Sequence, residues 1–430
     1  MKILITGAGG FIGSHLLRAL QRAGHEVIAA VHQSRRTTDA AVIPCNFMQD
    51  TTVERWRNRL TGVDVVINTV GIIHARQKQT FQRLHADTPI ALFQACTECG
   101  VKKVIQISAL GADETAFSTY HLTKRRADDV LRTLDIDWTI LRPSVVYGNG
   151  AKSMALFRAM AALPLIPLPG KGEQTLQPVS IDDLIQVVLN VLNAKIPARQ
   201  TIDLIGPESL TLQQLYRQLR QWLGLGKARF INLPWRVTLI MAWLTGLFSR
   251  SVFNLQSMQM LQRGYTLPPA STTHHIIQTQ TRLTDALSAS VCNPAEYQVA
   301  RLRFVLPLLR ISIALLWIWT GLVSIFFFPV SESYALLAQF NLHGMQADLA
   351  LYGGALLDFI CGLALLLNYR SKQVYALMLL IMTAYTVLIT LALPAFWLHP
   401  FGPISKNFPL FIATLLLMVT EEPRYGLSPA

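Results

Sequence analysis

The chain has 430 residues, 51% hydrophobic and only 15% charged, with a mean hydropathy of +0.36. That balance excludes disorder, a collagen-like repeat and an ordinary soluble protein, and it places part of the chain in lipid. The formal charge of +13 lies wholly in the first 306 residues, because from Pro307 onward five basic residues (Arg310, Arg370, Lys372, Lys406, Arg424) meet five acidic ones (Glu332, Asp348, Asp358, Glu421, Glu422).

Lys2–Thr6 (KILIT) reads as a strand rather than a signal peptide. It runs into Gly7-Ala8-Gly9-Gly10-Phe11-Ile12-Gly13, and residues 14–24 read as a helix. Strand, glycine turn and helix in this order form a dinucleotide site. Gly7 allows the tight turn, Gly10 lets a pyrophosphate approach the backbone, and Gly13 lets the helix pack closely. The phosphates then meet the helix N-terminus, with Phe11 and Ile12 beside them. A second strand, Glu26–Val31, follows at βαβ spacing. A site specific for NAD places an acid at the end of that strand, but this one ends His32-Gln33-Ser34-Arg35-Arg36. Two guanidiniums favour a 2′-phosphate, so NADP(H) is preferred, with NAD(H) as the alternative.

Residues 63–69, 104–107 and 136–141 read as further strands, with a helix over 88–100. The alternation predicts an α/β, doubly wound parallel sheet. Ser108 closes one strand, and residues 119–134 read as a helix that puts Tyr120 and Lys124 one turn apart on one face. Free tyrosine titrates near ~10, and the ammonium beside it is expected to lower that value. Ser108 would bond a substrate oxygen, Tyr120 would give or take the proton, and Lys124 would also hold the nicotinamide ribose.

Cys96 and Cys99 form a C-x-x-C with no second Cys/His pair at zinc spacing, so they read as structural, and no metal is expected. Cys45, Cys292 and Cys361 are isolated, and His274-His275 reads as a polar loop. Residues 235–249 set Leu239, Trp243 and Leu247 beside Ile240, Leu244 and Phe248, a wide apolar stripe that suits either a bilayer surface or packing within a lobe.

Residues 308–328, 349–367 and 374–393 are each long and apolar enough to cross a bilayer, and the shorter 408–419 adds a fourth span if it is lengthened through Lys406. Arg301, Arg303 and Arg310 precede the first span, Arg370 and Lys372 follow the second, and residues 329–347 hold no Lys or Arg. This predicts a multi-pass protein of the cytoplasmic (inner) membrane with its N-terminal region in the cytoplasm. Asp358, a carboxyl in mid-span, marks either function or a structural bond across helices to a Ser, Thr or Tyr, and Lys406 is its one partner by charge.

The strings TGAGGFIG, Ser108, YHLTK, LRPSVVYG and QPVSIDDL resemble the short-chain dehydrogenase/reductase superfamily in its extended or atypical branch, over roughly residues 1–290. DIDWTILRPSVVYG is most similar to the atypical group that contains the nucleotide-binding accessory subunit of respiratory complex I. HPFGPISKNFP and the spans look like the DoxX-like membrane family, a four-helix unit. The first resemblance implies that Asn46 stands where an Asp commonly meets the adenine, that Gly71 lines the nicotinamide side, and that segments 151–176 and 206–290 build a substrate lobe. A linker over 291–306 and a bundle over 307–425 complete the expected organisation. The implied function is NAD(P)(H)-dependent oxidoreduction or epimerisation of a lipid-soluble or lipid-linked substrate. The alternative is a non-catalytic NADPH-binding module in a membrane assembly, as a homo-oligomer or with a membrane-protein partner. The positive charge suits membrane lipid, and no nucleic-acid-binding signature accompanies it.

Overall fold

A computed structural model describes residues 1–32, 40–73, 80–248, 255–264 and 280–421. Arg35, Arg36, His274 and His275 lie outside the described residues, as do the side chains of Leu244, Leu247 and Phe248. The chain divides into two compact units, Met1–Ala300 and Arg301–Ala430.

Seven strands form the sheet of the first unit: β1 (Lys2–Thr6), β2 (Glu26–Val31), β3 (Ala41–Pro44), β4 (Val65–Asn68), β5 (Lys103–Ile107), β6 (Asp137–Pro143) and β7 (Gln200–Leu204). Their order is β7-β6-β5-β4-β1-β2-β3, and every pairing is parallel. Helices α1 (Phe11–Arg22) and α5 (Ile181–Leu192) cover one face, α2 (Thr88–Glu98) and α3 (Thr119–Thr133) the other, while α4 (Lys152–Ala161) belongs to the lobe. Side chains alternate along a strand, so Ile3 and Ile5 pack with Leu16, Leu20 and Val188, while Leu4 packs on the far face with Leu92, Phe93 and Leu131. A sheet buried on both faces needs the nearly continuous apolar strands seen in the sequence. Strand order reverses between β1 and β4, which opens a ligand crevice at their C-terminal ends.

Beneath that crevice runs a buried polar row. Thr6, Asn68 and Gln106 stand at matching register on β1, β4 and β5. Thr6 Oγ1 donates to Asn68 Oδ1 (2.6 Å), and Asn68 Nδ2 donates to Gln106 Oε1 (2.7 Å). Each side chain bonds its neighbour, and the row ends on Gln106 Nε2, which has no partner among the described residues.

The lobe adds α6 (Leu212–Trp222), α7 (Trp235–Phe248), α8 (Leu255–Arg263) and a parallel pair, Phe230–Leu233 with Ile166–Pro169. Thr211 and Gln214 form a capping box that starts α6. On α7, Thr238 and Ala242 are buried, whereas Val237, Ile240 and Trp243 are 42%, 57% and 55% exposed. That side of α7 therefore faces outward, and of the two uses of its apolar stripe, core packing does not hold there. The segment expected as a linker is mostly helical, because Pro294 opens a continuous helix, α9 (Pro294–Leu322), rich in helix-forming residues.

Among the described residues, Pro294–Phe327, which runs from the end of the first unit into the second, Met345–Leu366 and Ser371–Ala392 are long and apolar enough to cross a membrane, and Asn407–Thr420 is a shorter apolar helix. They contain α9, α10 (Gly354–Leu366), α11 (Ser371–Ala392) and α12 (Asn407–Thr420). Close contact between α9 and α10 rests on glycine. A Cβ on Gly362 would lie 2.6 Å from Ala314 O, and one on Gly321 would lie 2.6 Å from Ala355 O. Small residues at such crossings let backbones meet where lipid offers no hydrophobic drive. Asn407 Nδ2 donates to Thr386 Oγ1 (3.0 Å), tying α12 to α11. Asp358 is buried, and its Oδ1 has no hydrogen-bond partner among the described residues. The expected pairing with Lys406 does not form: Lys406 is an exposed residue at the start of α12, where a flexible ammonium keeps its water.

Candidate active site

β1 delivers the chain to Gly7, whose φ of +71° is left-handed and favours glycine. Gly7 N donates to Ala30 O (3.2 Å) and Gly10 N donates to Gly7 O (2.8 Å), which pins the turn to β2 and to itself. A Cβ on Gly13 would stand 2.8 Å from Thr69 Oγ1 and closer still to the Gly7 backbone, so α1 approaches β1 and β4 with only a hydrogen between. Gly10 caps α1 without a side chain, and no acid occupies the first turn. The orphan N–H groups there, Phe11 and Ile12 among them, and the positive end of the helix dipole are left for an anion. These residues fit a dinucleotide pyrophosphate.

On α3, Tyr120, Lys124 and Asp128 follow at four-residue steps and share one face. Ser118 starts the helix by accepting from His121 N (3.2 Å). Lys124 is 3% exposed, and its Nζ donates to Ile107 O (2.9 Å) and Val70 O (3.1 Å) at the ends of β5 and β4. An ammonium has three donors, so one remains for a ligand. A Cβ on Gly71 would lie 3.3 Å from that nitrogen, so Gly71 lies against Lys124. Burial draws Lys124 down to about 8, opposed by the charge of Asp128.

Asp128 is fully buried. Its Oδ2 accepts from Ser108 Oγ (2.5 Å) and lies 3.9 Å from Arg142 Nε. Burial pushes its carboxyl up to about 6, against the pull of Ser108, Lys124 and Arg142. Two sequence expectations change here. The single Ser108 proton is directed at Asp128 rather than held out for a substrate oxygen. Tyr120, half-buried and edge-on to His85 (5.3 Å) and Phe81 (6.1 Å), is pushed up to about 12 by burial and then by Asp128. The expected lowering is absent because Lys124 turns to two carbonyls. When Asp128 takes up a proton it can donate to Ser108, and the hydroxyl is then free to donate elsewhere.

His85 was missed in the sequence, as was Asp128. It sits on a π-helical turn, Gln82–Asp87, a form common at functional sites. Its Nε2 accepts from Ile72 N (3.0 Å), so the proton is on Nδ1, which faces Thr123 Oγ1 at 3.3 Å. Burial, then Lys124, hold this imidazole well below its usual value. His85 therefore anchors the turn that carries Val70 O to Lys124. A π-turn gives no periodic signal, but the four-residue steps from Tyr120 to Asp128 were readable. Asn46 is half-buried, and its Oδ1 accepts from Met48 N (3.0 Å), so its oxygen already serves the loop after β3. Cys96 is buried in the core, where burial pushes its thiol up.

Residues 3–204 match the NAD dependent epimerase/dehydratase family and residues 314–415 the DoxX-like family. The chain is 26% identical over 276 residues to ceramide reductase of Caulobacter vibrioides, covering 61% of this chain and 85% of that protein. It is also 26% identical over 263 residues to NADH dehydrogenase (ubiquinone) 1 alpha subcomplex subunit 9, mitochondrial, of Mus musculus, covering 58% of this chain and 67% of that one. A solved structure of a mutant UDP-glucuronic acid 4-epimerase from Bacillus cereus, with UDP-4-deoxy-4-fluoro-glucuronic acid and NAD, shares the fold. Its TM-score is 0.52 at 22% identity, over 70% of this chain and 99% of that one. Residues 3–204, with their parallel Rossmann sheet, are therefore similar to the NAD dependent epimerase/dehydratase family, and the apolar helices within 314–415 to the DoxX-like family.

Proposed function

We propose that the protein is a membrane-anchored, NAD(P)(H)-dependent oxidoreductase or epimerase acting on a lipid-soluble or lipid-linked carbonyl or alcohol. The observation that carries this reading is the row of Tyr120, Lys124 and Asp128 at the ends of β4 and β5, beside the glycine turn. Gly7, Gly10, Phe11, Ile12 and Gly13 would hold the pyrophosphate, Lys124 the ribose with its remaining proton, and Gly71 would line the nicotinamide side. Arg35 and Arg36 are the basis for preferring NADP(H). When bound, the nicotinamide supplies or accepts hydride. Tyr120 gives or takes the proton at the substrate oxygen, and Ser108 orients that oxygen once a proton on Asp128 frees its hydroxyl. The ceramide reductase relative and the DoxX-like domain support a lipid substrate. The basic residues flanking the spans support a cytoplasmic N-terminal domain in the inner membrane. Asp358 is kept as an intramembrane functional residue without Lys406.

Two observations favour a second reading, a non-catalytic NADPH-binding module within a membrane assembly. The phenol held near 12 and the Ser108 proton committed to Asp128 both oppose proton transfer. Tyr120→Phe decides between the two. With purified protein, NADPH or NADH and a panel of lipid ketones, the enzyme reading expects turnover to fall at least about 100-fold while cofactor fluorescence titrations are unchanged. Unchanged turnover in the variant removes Tyr120 as the acid.

A further inference from the structure

From Ser209 to Thr284 the sequence contains no Asp or Glu and eight Lys or Arg. This stretch holds most of the lobe, and its apolar side chains are not all inside it. Val237, Ile240 and Trp243 on α7 are exposed, opposite buried Thr238 and Ala242, and Ile231 on the neighbouring strand pair and Leu165 just before it are 43% and 48% exposed. Lys227, Arg229 and Arg236 are exposed in the same stretch. An outward apolar face with a tryptophan, on a segment whose own sequence is basic and free of acid, has the composition of one that rests in the headgroup region of an anionic bilayer.

We infer that the α7 face docks on an anionic lipid surface, with Val237, Ile240 and Trp243 entering the acyl boundary and Lys227, Arg229 and Arg236 meeting lipid phosphates. A bilayer is favoured over a protein partner because charge of one sign extends over the whole stretch, and because the chain carries apolar helices that keep a membrane within reach. The helix packed against α7 reaches the site. From α8, Gln256 Nε2 donates to Thr119 Oγ1 (3.1 Å), Arg263 Nη1 donates to Thr115 O (2.6 Å), and the Arg263 guanidinium lies 5.1 Å from the Phe117 ring. Docking thus sets the loop before Tyr120 at the lipid boundary, where an amphiphile enters without crossing water. That last consequence rests on the proposed function, whereas the docking does not.

The test uses the full chain with Cys99 and Cys292 changed to Ser and an environment-sensitive fluorophore on Ile240→Cys, in nanodiscs holding one copy so that a second copy cannot shield the label. Lipids spin-labelled near the headgroup should quench the label in discs with anionic lipid. Quenching should fall by about half or more in zwitterionic discs, with Arg236→Glu, or at ~1 M salt, where the Debye length is about 3 Å. A label on Gln94→Cys of α2 should stay unquenched. Equal quenching at 94 and 240, no quenching at 240, or quenching indifferent to lipid charge and salt would each overturn the docking. Docking without any lipid turnover would leave it standing and sink the proposed function instead.

Discussion

Asp128→Asn tests the electrostatics of the site without changing its shape, because the new amide oxygen can still accept from Ser108. Lys124 stands near 8, lowered by burial and partly restored by Asp128. Charges one helical turn apart, about 6 Å, couple by about 3 kcal/mol at an effective dielectric of ~20, or about two pK units. The variant removes this coupling and should lower Lys124 by about one to two units. At pH ~7.5 the ammonium fraction then drops from about three quarters to a quarter or less. If Lys124 holds the ribose, NADPH affinity should weaken roughly three- to twenty-fold at that pH and converge with wild type near pH ~5.5, where both lysines are charged. Fluorescence titration of NADPH across pH reads this directly. Superimposable profiles for the two proteins would refute both the coupling and the ribose role.

Gly13→Ala should weaken cofactor binding by about 1–3 kcal/mol through displacement of the Gly7 turn, measured in the same titration; an unchanged affinity would contradict the close approach. Asn68→Leu strands Thr6 and Gln106 and should destabilise the first unit by about 2–4 kcal/mol, seen as an earlier loss of tryptophan fluorescence from buried Trp56 and Trp138. For buried His121 the folded value is lowered to about 4, so the unfolded chain binds the extra proton below its own value near ~6.5. Stability should therefore be full above that pH and fall towards pH 4, by about 3 kcal/mol from this residue. Asp128, raised to about 6, acts in the opposite sense over part of that range; melting temperatures that do not decline in acid would show the histidine contribution to be wrong. Gly362→Leu should separate α9 from α10 and lower the unfolding temperature of the membrane unit in detergent, whereas Leu366→Ala, at an exposed site, should change it little.

The nucleotide half was legible because its signals are local. A β-rich run, three glycines at fixed spacing and alternating apolar segments predicted β1, α1 and the parallel sheet before any contact was known. Gly7 and Gly13 do what their spacing implied. Asp128 escaped because a carboxylate on a helix rich in Arg and Asp reads as a solvated face, and only tertiary packing buries it beneath Ser108. His85 escaped for a similar reason, since its meaning comes from Ile72 N across a turn. For Tyr120 and Ser108, spacing gave the residues but not the direction of the phenol's shift or of the hydroxyl. Sequence spacing placed Lys124 beside the phenol but could not show that two main-chain carbonyls would claim the ammonium. Asp358 and Lys406 were matched by charge alone, and charge does not fix which end of a helix a long side chain reaches.

The row of Thr6, Asn68 and Gln106 joins three strands that end, respectively, at the glycine turn, at Gly71 and at Ser108. Backbone ladders resist sliding along a strand, but this cross-tie also resists shear between neighbours just below their tips. The three tips should therefore move as one plate, so a dinucleotide settling on the first would carry its displacement sideways to the hydroxyl on the third. Substrate affinity and cofactor affinity would then be linked through the floor of the crevice, with no lid required.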